Sequence, residues 1–213
     1  MNNLVIIHIG KCGGSTVSSE LRSKNVKFAQ IHITEAIYEP NKNYVIVIRN
    51  PIKRFISALN WRYYLVCDSK IQENRFKNEK NILNQYKNLD NLCNDLEINH
   101  DIFNGSPSSG NYIHHLREDI YFYLKSFIQK CPKKQILGVI CTETLKDDMK
   151  NIFDIDIIKH EKNNSKYNSK YNKIITDKSY EILKTYLKND YIIIDQMYKC
   201  GWISDKQYKI LKS

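Results

Sequence analysis

The sequence predicts an α/β fold built on a mostly parallel sheet. Short β-rich runs alternate with helical patterns along the chain, which indicates βαβ units. Residues 44–48 read Y-V-I-V-I, and a continuously apolar, β-branched run is typical of a strand buried on both faces. The chain has 213 residues, of which 42% are hydrophobic, so one domain with a sizeable core is feasible. No linker divides it, and we expect a single domain over residues 1–213.

Each predicted element follows from a local pattern. The first strand stops at Gly10, where a glycine-rich turn begins, and Pro51 stands where a first helical turn tolerates proline. The predicted strands cover residues 3–9, 27–33, 44–48 and 135–141. The predicted helices cover residues 14–24, 51–65, 112–129, 143–153 and 177–200. Residues 67–104 are rich in Asn, Lys and Glu with apolar residues near helical spacing, and predict a helical insertion. Residues 104–110 and 160–172 predict loops.

Charge and cysteine content narrow the class of protein. The excess of 33 Lys and Arg over 23 Asp and Glu gives a net charge of +10, which favours anionic partners without choosing among nucleic acid, acidic polysaccharide, phosphorylated cofactors and anionic lipid. Apolar runs such as residues 4–7 are too short to cross a bilayer, and the start lacks the pattern of a signal peptide. The six scattered cysteines show no C-x-x-C pair and no zinc spacing. We expect a cytoplasmic protein without a membrane span.

The sharpest local motif is H-I-G-K-C-G-G-S-T, residues 8–16, directly after the first strand. A strand, a tight glycine turn and a helix start create a concave set of backbone N–H groups that favours phosphate. The motif is not a Walker A sequence, because Lys11 precedes the glycine pair. An ordinary glycine turn is the alternative, and His8, inside a strand, is interpreted as structural. The candidate phosphate-binding residues are Lys11, Cys12, Gly13, Gly14, Ser15 and Thr16.

A second motif, R-N-P-I-K-R-F-I-S, follows the buried strand at residues 49–57. In an open parallel sheet, ligands bind outside the carboxyl ends of the strands, and Arg49 occupies such an end. Its planar guanidinium can grip a phosphate in bidentate fashion. Ser57, two helical turns from Pro51, offers a hydroxyl to the same phosphate. A solvated helix start with incidental charge is the alternative.

The two motifs together resemble those of a known enzyme family. K-C-G-G-S-T is similar to the 5′-phosphosulfate loop of sulfotransferases, and R-N-P-I-K-R-F-I-S resembles their 3′-phosphate motif, R-x-P-x-x-R-x-x-S, position for position. The chain resembles small carbohydrate sulfotransferases, close to heparan sulfate 2-O-sulfotransferases and short bacterial capsule-modifying relatives. The resemblance implies one sulfotransferase domain with a P-loop-like fold. It also implies 3′-phosphoadenosine 5′-phosphosulfate (PAPS) as donor, PAP as product, and no metal.

Later segments extend the resemblance more loosely. I-C-T-E-T-L at residues 140–145 is similar to the family's strand followed by E-x-L, and residues 190–197 with the following G-W resemble its C-terminal helix. N-N-S-K-Y-N-S-K-Y at residues 163–171 resembles the loop that closes over the cofactor, which implies that Asn164 and Ser165 bind it. The insertion at 67–104 matches nothing in the family, and Cys12 stands where relatives more often carry Thr.

The implied reaction needs a cation and a base. Lys11 would offset charge on the leaving phosphate oxygen during in-line sulfuryl transfer. His32, in Q-I-H-I-T-E-A after the second strand, resembles the H-x-T element of short relatives and is the predicted general base; a simply exposed histidine is the alternative. Glu143 is expected to order the site or cap its helix. The remaining candidates for the base are Glu35, then His114 and His115.

Two other functions stay open at this point. A P-loop nucleotide or small-molecule kinase is disfavoured by the position of Lys11 and by the lack of a clear Mg²⁺-holding Asp after a strand. A non-enzymatic binder of nucleic acid or acidic polysaccharide would use the net charge, but no nucleic-acid-binding signature is present, so no nucleic acid partner is expected. The acceptor of the sulfuryl group is a hydroxyl, and the resemblance favours a carbohydrate.

Overall fold

A computed structural model describes residues 3–86, 88–103, 105–157 and 175–213. The chain divides into two compact units. The first comprises Met1–Arg54, Glu118–Lys162 and Asn189–Ser213, and the second comprises Phe55–Arg117 and Asn163–Lys188. The predicted loop at residues 160–172 and the cofactor-binding residues Asn164 and Ser165 lie outside the described residues.

The first unit is built on a sheet whose described strands are all parallel. The strands are β1 (Leu4–His8), β2 (Ala29–Ile31), β3 (Asn43–Ile48) and β4 (Ile136–Cys141), in the spatial order β2-β1-β3-β4. The α/β class and the parallel sheet predicted from the sequence are therefore confirmed. Each predicted strand is present, and β2 is shorter than the sequence indicated.

The order of the strands explains how deeply each strand is buried. Tyr44 to Ile48 of β3 are completely buried, because this central strand has neighbours on both edges and both faces covered. Val5, Ile6 and Ile7 of β1 are also buried. β2 lies at the edge of the sheet, and Ala29 and Gln30 are exposed. Since parallel strands end at the same edge of a sheet, the segments that follow the four strands lie along one edge.

Some of the helices flank the sheet, and others belong to the second unit. In chain order they are α1 (Gly14–Ser23), α2 (Pro51–Tyr63), α3 (Glu79–Gln85), α4 (Leu89–Ile98), α5 (Ile120–Leu124), α6 (Leu145–Phe153), α7 (Asp177–Tyr186), α8 (Lys188–Lys199) and α9 (Asp205–Lys212). A π-helical turn, Tyr64–Asp68, extends α2. The Asn50 side chain accepts the backbone N–H of Lys53 at 3.0 Å, which caps the start of α2.

Within the described ranges, no helix combines the length and apolarity needed to cross a membrane.

The second unit is organised around a buried ion pair. Arg62 donates from Nε and Nη2 to the two carboxylate oxygens of Glu79 at 2.9 and 2.6 Å, and both side chains are almost fully buried. Glu79 also accepts the backbone N–H of His114 at 3.1 Å. The predicted helical insertion at residues 67–104 contains α3 and α4, so the helical prediction for this segment is confirmed in its two described helices.

Two predicted helices differ from the structure. The helix expected over residues 112–129 is wrong for most of its length, because His115 has a left-handed backbone (φ 69°) and the Asp119 side chain caps the backbone N–H of Phe122, so that α5 begins only at Ile120. The helix expected over 177–200 is two helices, α7 and α8, interrupted at Leu187. The sequence analysis missed α9, whose start carries a capping box between Ser204 and Gln207.

Candidate functional site

The candidate site lies along the carboxyl edge of the sheet in the first unit. The loop that contains Lys11 follows β1, His32 follows β2, Arg49 follows β3, and Glu143 follows β4. This placement brings together side chains that are far apart in the sequence. It is also the edge at which ligands bind in parallel α/β sheets.

The loop after β1 leads directly into α1. Gly13 has a left-handed backbone (φ 83°), which glycine adopts without strain, and it is the residue immediately before the helix. The N-cap residue of α1 is Gly13, which has no side chain to cap the helix, and the first turn carries no acidic residue. The backbone N–H groups of that first turn and the helix dipole therefore favour an anion.

Gly14 is required by a contact with His8. A Cβ atom at Gly14 would lie 2.0 Å from Cδ2 of His8 and 2.5 Å from its Nε2. Non-bonded carbon atoms normally approach no closer than about 3.5 Å. The imidazole of His8 therefore packs directly on the backbone at the start of α1, a place that the sequence analysis did not give it.

A chain of hydrogen bonds fixes the state of His8. Ser18 Oγ donates to Gln30 Oε1 at 3.1 Å, and Gln30 Nε2 donates to His8 Nδ1 at 2.7 Å. Nδ1 of His8 is therefore an acceptor, and the ring proton of the neutral form resides on Nε2. Burial, with smaller contributions from His32 and Lys11, lowers the pKa of His8 to about 3, so this ring is neutral at physiological pH.

His32 lies against His8. The two rings are stacked, with centroids 4.2 Å apart and planes 17° from parallel. Nδ1 of His32 donates to the backbone carbonyl of His8 at 2.8 Å. Because a carbonyl can only accept, Nδ1 carries the proton of the neutral His32 ring, and Nε2 is the nitrogen with the basic lone pair. The side chain is half-buried, and this is an arrangement suited to a general base.

The other residues of the loop differ in exposure. Cys12 is completely buried and its thiol donates to the Gly10 carbonyl, with Sγ 3.7 Å from the oxygen; burial raises its pKa to about 12. The thiol is therefore a neutral part of the core, and the contribution of Cys12 to the loop is its backbone. Ser15 is exposed, and Thr16 is buried. Lys11 has a left-handed backbone (φ 67°) and is half-buried.

Arg49 reaches the same loop from β3. Its Nη1 donates to the Lys11 carbonyl at 3.5 Å, and its Nε lies 3.7 Å from a carboxylate oxygen of Glu143. Within the described residues, Arg49 Nε and both Glu143 oxygens are buried without a hydrogen-bond partner. The Thr142 hydroxyl lies 2.6 Å from the Cys12 carbonyl and 3.2 Å from that of Ile48, which ties the loop to the end of β3.

The second arginine of the R-x-P-x-x-R motif has a different environment. Arg54 is completely buried and donates from Nη1 to the Glu118 carbonyl at 3.2 Å. Asp190 is also completely buried, and its Oδ1 accepts the backbone N–H of Tyr121 at 2.8 Å. Burial and then the charge of Asp119 raise the pKa of Asp190 to about 8, although Arg54 opposes the shift. Two carboxyl groups thus accompany one guanidinium, and burial raises the pKa of both Asp119 and Asp190.

The remaining predicted residues have other surroundings. Ser57 is in the part of α2 that belongs to the second unit. His114 and His115 are buried in that unit, not exposed at a helix start, and His114 Nδ1 is 2.9 Å from the Tyr112 hydroxyl. Glu35 lies in a segment without helix and is engaged by Ser126 and Lys125.

Sequence reasoning missed the part that His8 and Gln30 play. β1 pairs with β2 so that Ile7 is opposite Ile31, and the residues that follow each, His8 and His32, are consequently neighbours. The alternation of residue types alone does not give this register.

Searches against protein-family models, curated proteins and solved structures found no match to this chain.

Proposed function

We propose that this protein is a sulfotransferase that moves the sulfuryl group of PAPS to a hydroxyl acceptor, on a P-loop-like fold. The observation that carries the proposal is the arrangement of His32. Its Nδ1–H donates to the carbonyl of His8, the last residue of β1, and the glycine loop that leads into α1 follows directly after His8. A basic nitrogen and an anion-binding loop are thus neighbours. Such a pair is what in-line transfer from an anionic donor to a hydroxyl requires.

Each residue has a defined part in the proposed reaction. The phosphosulfate lies at the N-terminus of α1, and Lys11 stabilises the charge that develops on the leaving phosphate oxygen. The acceptor oxygen forms its bond to sulfur as the bond from sulfur to that phosphate oxygen breaks, and the electron pair leaves with PAP. His32 Nε2 takes the proton of the hydroxyl. Arg49 binds the 3′-phosphate, remote from the transferred group.

The resemblance of the two motifs to those of carbohydrate sulfotransferases supports a carbohydrate as the acceptor. None of the six cysteines, all in the described part of the chain, is in a disulfide, which supports the cytoplasm as the compartment, because disulfides are rare there. Lys11 and Arg49 supply the positive charge that the donor needs. We therefore expect binding of PAP and transfer from PAPS to be unaffected by a chelator.

A thermal-shift comparison tests the proposal. PAP at 100 times its dissociation constant should stabilise the protein by about 2.7 kcal/mol, which corresponds to roughly 5–10 °C for a chain of this size. ATP with Mg²⁺ should have a smaller effect. Arg49→Ala should abolish most of the shift, whereas Arg22→Ala, a matched change at an exposed residue in the last turn of α1, should preserve it.

A transfer assay with labelled PAPS and a panel of glycans, tyrosine peptides and small alcohols then identifies the acceptor. Stabilisation by ATP with Mg²⁺ but not by PAP, together with a strict Mg²⁺ requirement, would indicate a kinase. Stabilisation by polyanions alone would indicate a binding protein. Either result would overturn the proposed function.

A further inference from the structure

Tyr123 contacts the segment that carries His32 at two points. Tyr123 lies on α5, and its side chain is completely buried. Its hydroxyl oxygen accepts the backbone N–H of Ile33 at 3.0 Å, and its backbone carbonyl accepts the N–H of Ala36 at 3.0 Å. One residue of a flanking helix therefore holds both ends of the turn that follows the predicted base.

The backbone at Ile33 needs such support. Ile33 has a left-handed backbone, with φ 69°, and this conformation is a genuine outlier for a β-branched residue. Its side chain is 40% exposed, so burial of that side chain contributes little to holding the conformation. A strained backbone persists only where the surrounding structure imposes it. Here the hydrogen bond from the Ile33 N–H to the Tyr123 hydroxyl holds the strained conformation.

The strained residue directly follows His32, and the N–H that Tyr123 accepts belongs to the planar peptide group between His32 and Ile33, so the contact fixes the orientation of that peptide group next to the His32 Cα. The position of His32 is what allows Nδ1 to reach the His8 carbonyl and the ring to stack on His8. Burial raises the pKa of the Tyr123 hydroxyl to about 12, and the backbone N–H groups of Ile33 and Gly10 oppose the shift. Gly10 belongs to the loop between β1 and α1, here called the donor loop, so the hydroxyl lies near that loop.

We propose that Tyr123 is a positioning residue, whose hydroxyl fixes His32 relative to the donor loop through the backbone of Ile33. The proposal rests on the proposed function. It assigns no direct contact with substrate to Tyr123. Loss of the hydroxyl leaves the Ile33 N–H without its partner and releases the left-handed turn, so that His32 no longer meets the acceptor at the distance that transfer requires.

Tyr123→Phe tests this, because it removes one oxygen atom and keeps the ring. We expect kcat for transfer to fall about 10- to 100-fold, as for a misplacement of about 1 Å, with PAP affinity within about twofold of wild type. Tyr44→Phe is the matched control. The Tyr44 side chain is also completely buried in the first unit, and its hydroxyl also accepts a backbone N–H, that of Glu39 at 2.7 Å. This control should lower the melting temperature similarly and leave kcat unchanged.

A double-mutant cycle separates positioning from general stabilisation. In a His32→Ala background, Tyr123→Phe should cause no further loss of kcat, since the two residues act through one group. Additive losses, or a normal kcat in Tyr123→Phe, would overturn the proposal while the proposed function stands. If Tyr123→Phe does not fold, hydrogen exchange of the wild type decides: a rapidly exchanging Ile33 amide would contradict the bond.

If the wild type shows no transfer, the proposed function fails, and the placement of His32 is measured directly. The ring nitrogen signals of His32 in NMR spectra report its tautomer and hydrogen bond. Tyr123→Phe should shift those signals, and Tyr44→Phe should not. Unchanged signals in Tyr123→Phe would refute the positioning role independently of any activity.

Discussion

Replacing Gly14 with alanine should disrupt the site through a single methyl group. The new Cβ would lie 2.0 Å from His8 Cδ2 and 2.3 Å from its Cγ, so the ring would have to move by about 1.5 Å to restore an ordinary contact. The ring cannot move alone, because its Nδ1 accepts from Gln30 and its face stacks on His32. The substitution therefore acts on the base as well as on the loop.

The expected loss of stability follows from the contact. Overpacking of a well-filled site costs about 1–3 kcal/mol, and the better helix propensity of alanine returns at most about 1 kcal/mol. The net loss of up to about 3 kcal/mol corresponds to a melting temperature lower by up to roughly 12 °C. Turnover should fall more than tenfold at a temperature where the variant is folded, because the displaced ring carries His32 with it.

Two comparisons isolate the clash from other effects. Gly13→Ala places its Cβ 3.5 Å from the nearest atom, Leu145 Cδ1, so this variant measures only the strain of φ 83°. In Gly14→Ala combined with His8→Ala the clash is absent, and the two losses of stability should be strongly non-additive. Differential scanning calorimetry and the transfer assay provide the measurements. A wild-type melting temperature and turnover in Gly14→Ala, or additive losses in the cycle, would refute the reasoning.

Three further predictions concern the donor site, the base and the buried carboxylates. Arg49→Ala should weaken PAP binding, measured by calorimetry, more than it lowers kcat at saturating PAPS, because a contact equal in ground and transition states changes affinity alone; unchanged PAP affinity would contradict the placement of the 3′-phosphate. His32→Ala should lower kcat by roughly 100- to 10,000-fold at unchanged PAP affinity, and His32→Gln should not restore it; recovery in the Gln variant would indicate a binding role. The pKa of Asp190 is raised from 3.8 to about 8, so the folded protein binds that proton more tightly than the unfolded chain does. The free energy of unfolding should therefore fall as the pH rises from about 4 towards 8, by at most about 1.4 kcal/mol per pH unit. Chemical denaturation should show this slope in the wild type and a smaller one in Asp190→Asn, and equal slopes would argue against a protonated Asp190.

The strands were predictable because their sequence pattern and their burial agree. The continuously apolar run of β3 is buried on both faces, and the turn after β1 is marked by its glycines. The helix expected over residues 112–129 failed for a physical reason. Tyr112, Ile113 and Leu116 are buried at nearly helical spacing, yet the backbone between them is not helical, since tertiary contacts satisfy the same burial pattern without a helix.

The candidate site was predictable only where a residue type reveals its chemistry. The glycine loop and Arg49 could be predicted from the sequence as candidate anion-binding features, and both lie at the carboxyl edge of the sheet. Arg54 belongs to the same motif but is completely buried beside Glu118 and Asp190, so a position-by-position match does not give two arginines the same role. That difference depends on α5 and α8, whose packing no local pattern predicts.

The two stacked histidines show that residue type alone does not determine which ring nitrogen carries the proton. At His8 an amide donates to Nδ1, so the neutral ring presents an N–H at Nε2; at His32 a carbonyl accepts from Nδ1, so the neutral ring presents a lone pair at Nε2. Burial lowers the pKa of His8 to about 3, so the ring on which His32 stacks, with centroids 4.2 Å apart, carries no charge at physiological pH. The hydrogen-bond partner of Nδ1 is Gln30 at His8 and the β1 backbone at His32, so of the two neutral rings only His32 presents a lone pair at Nε2, which is the feature that the proposed function uses.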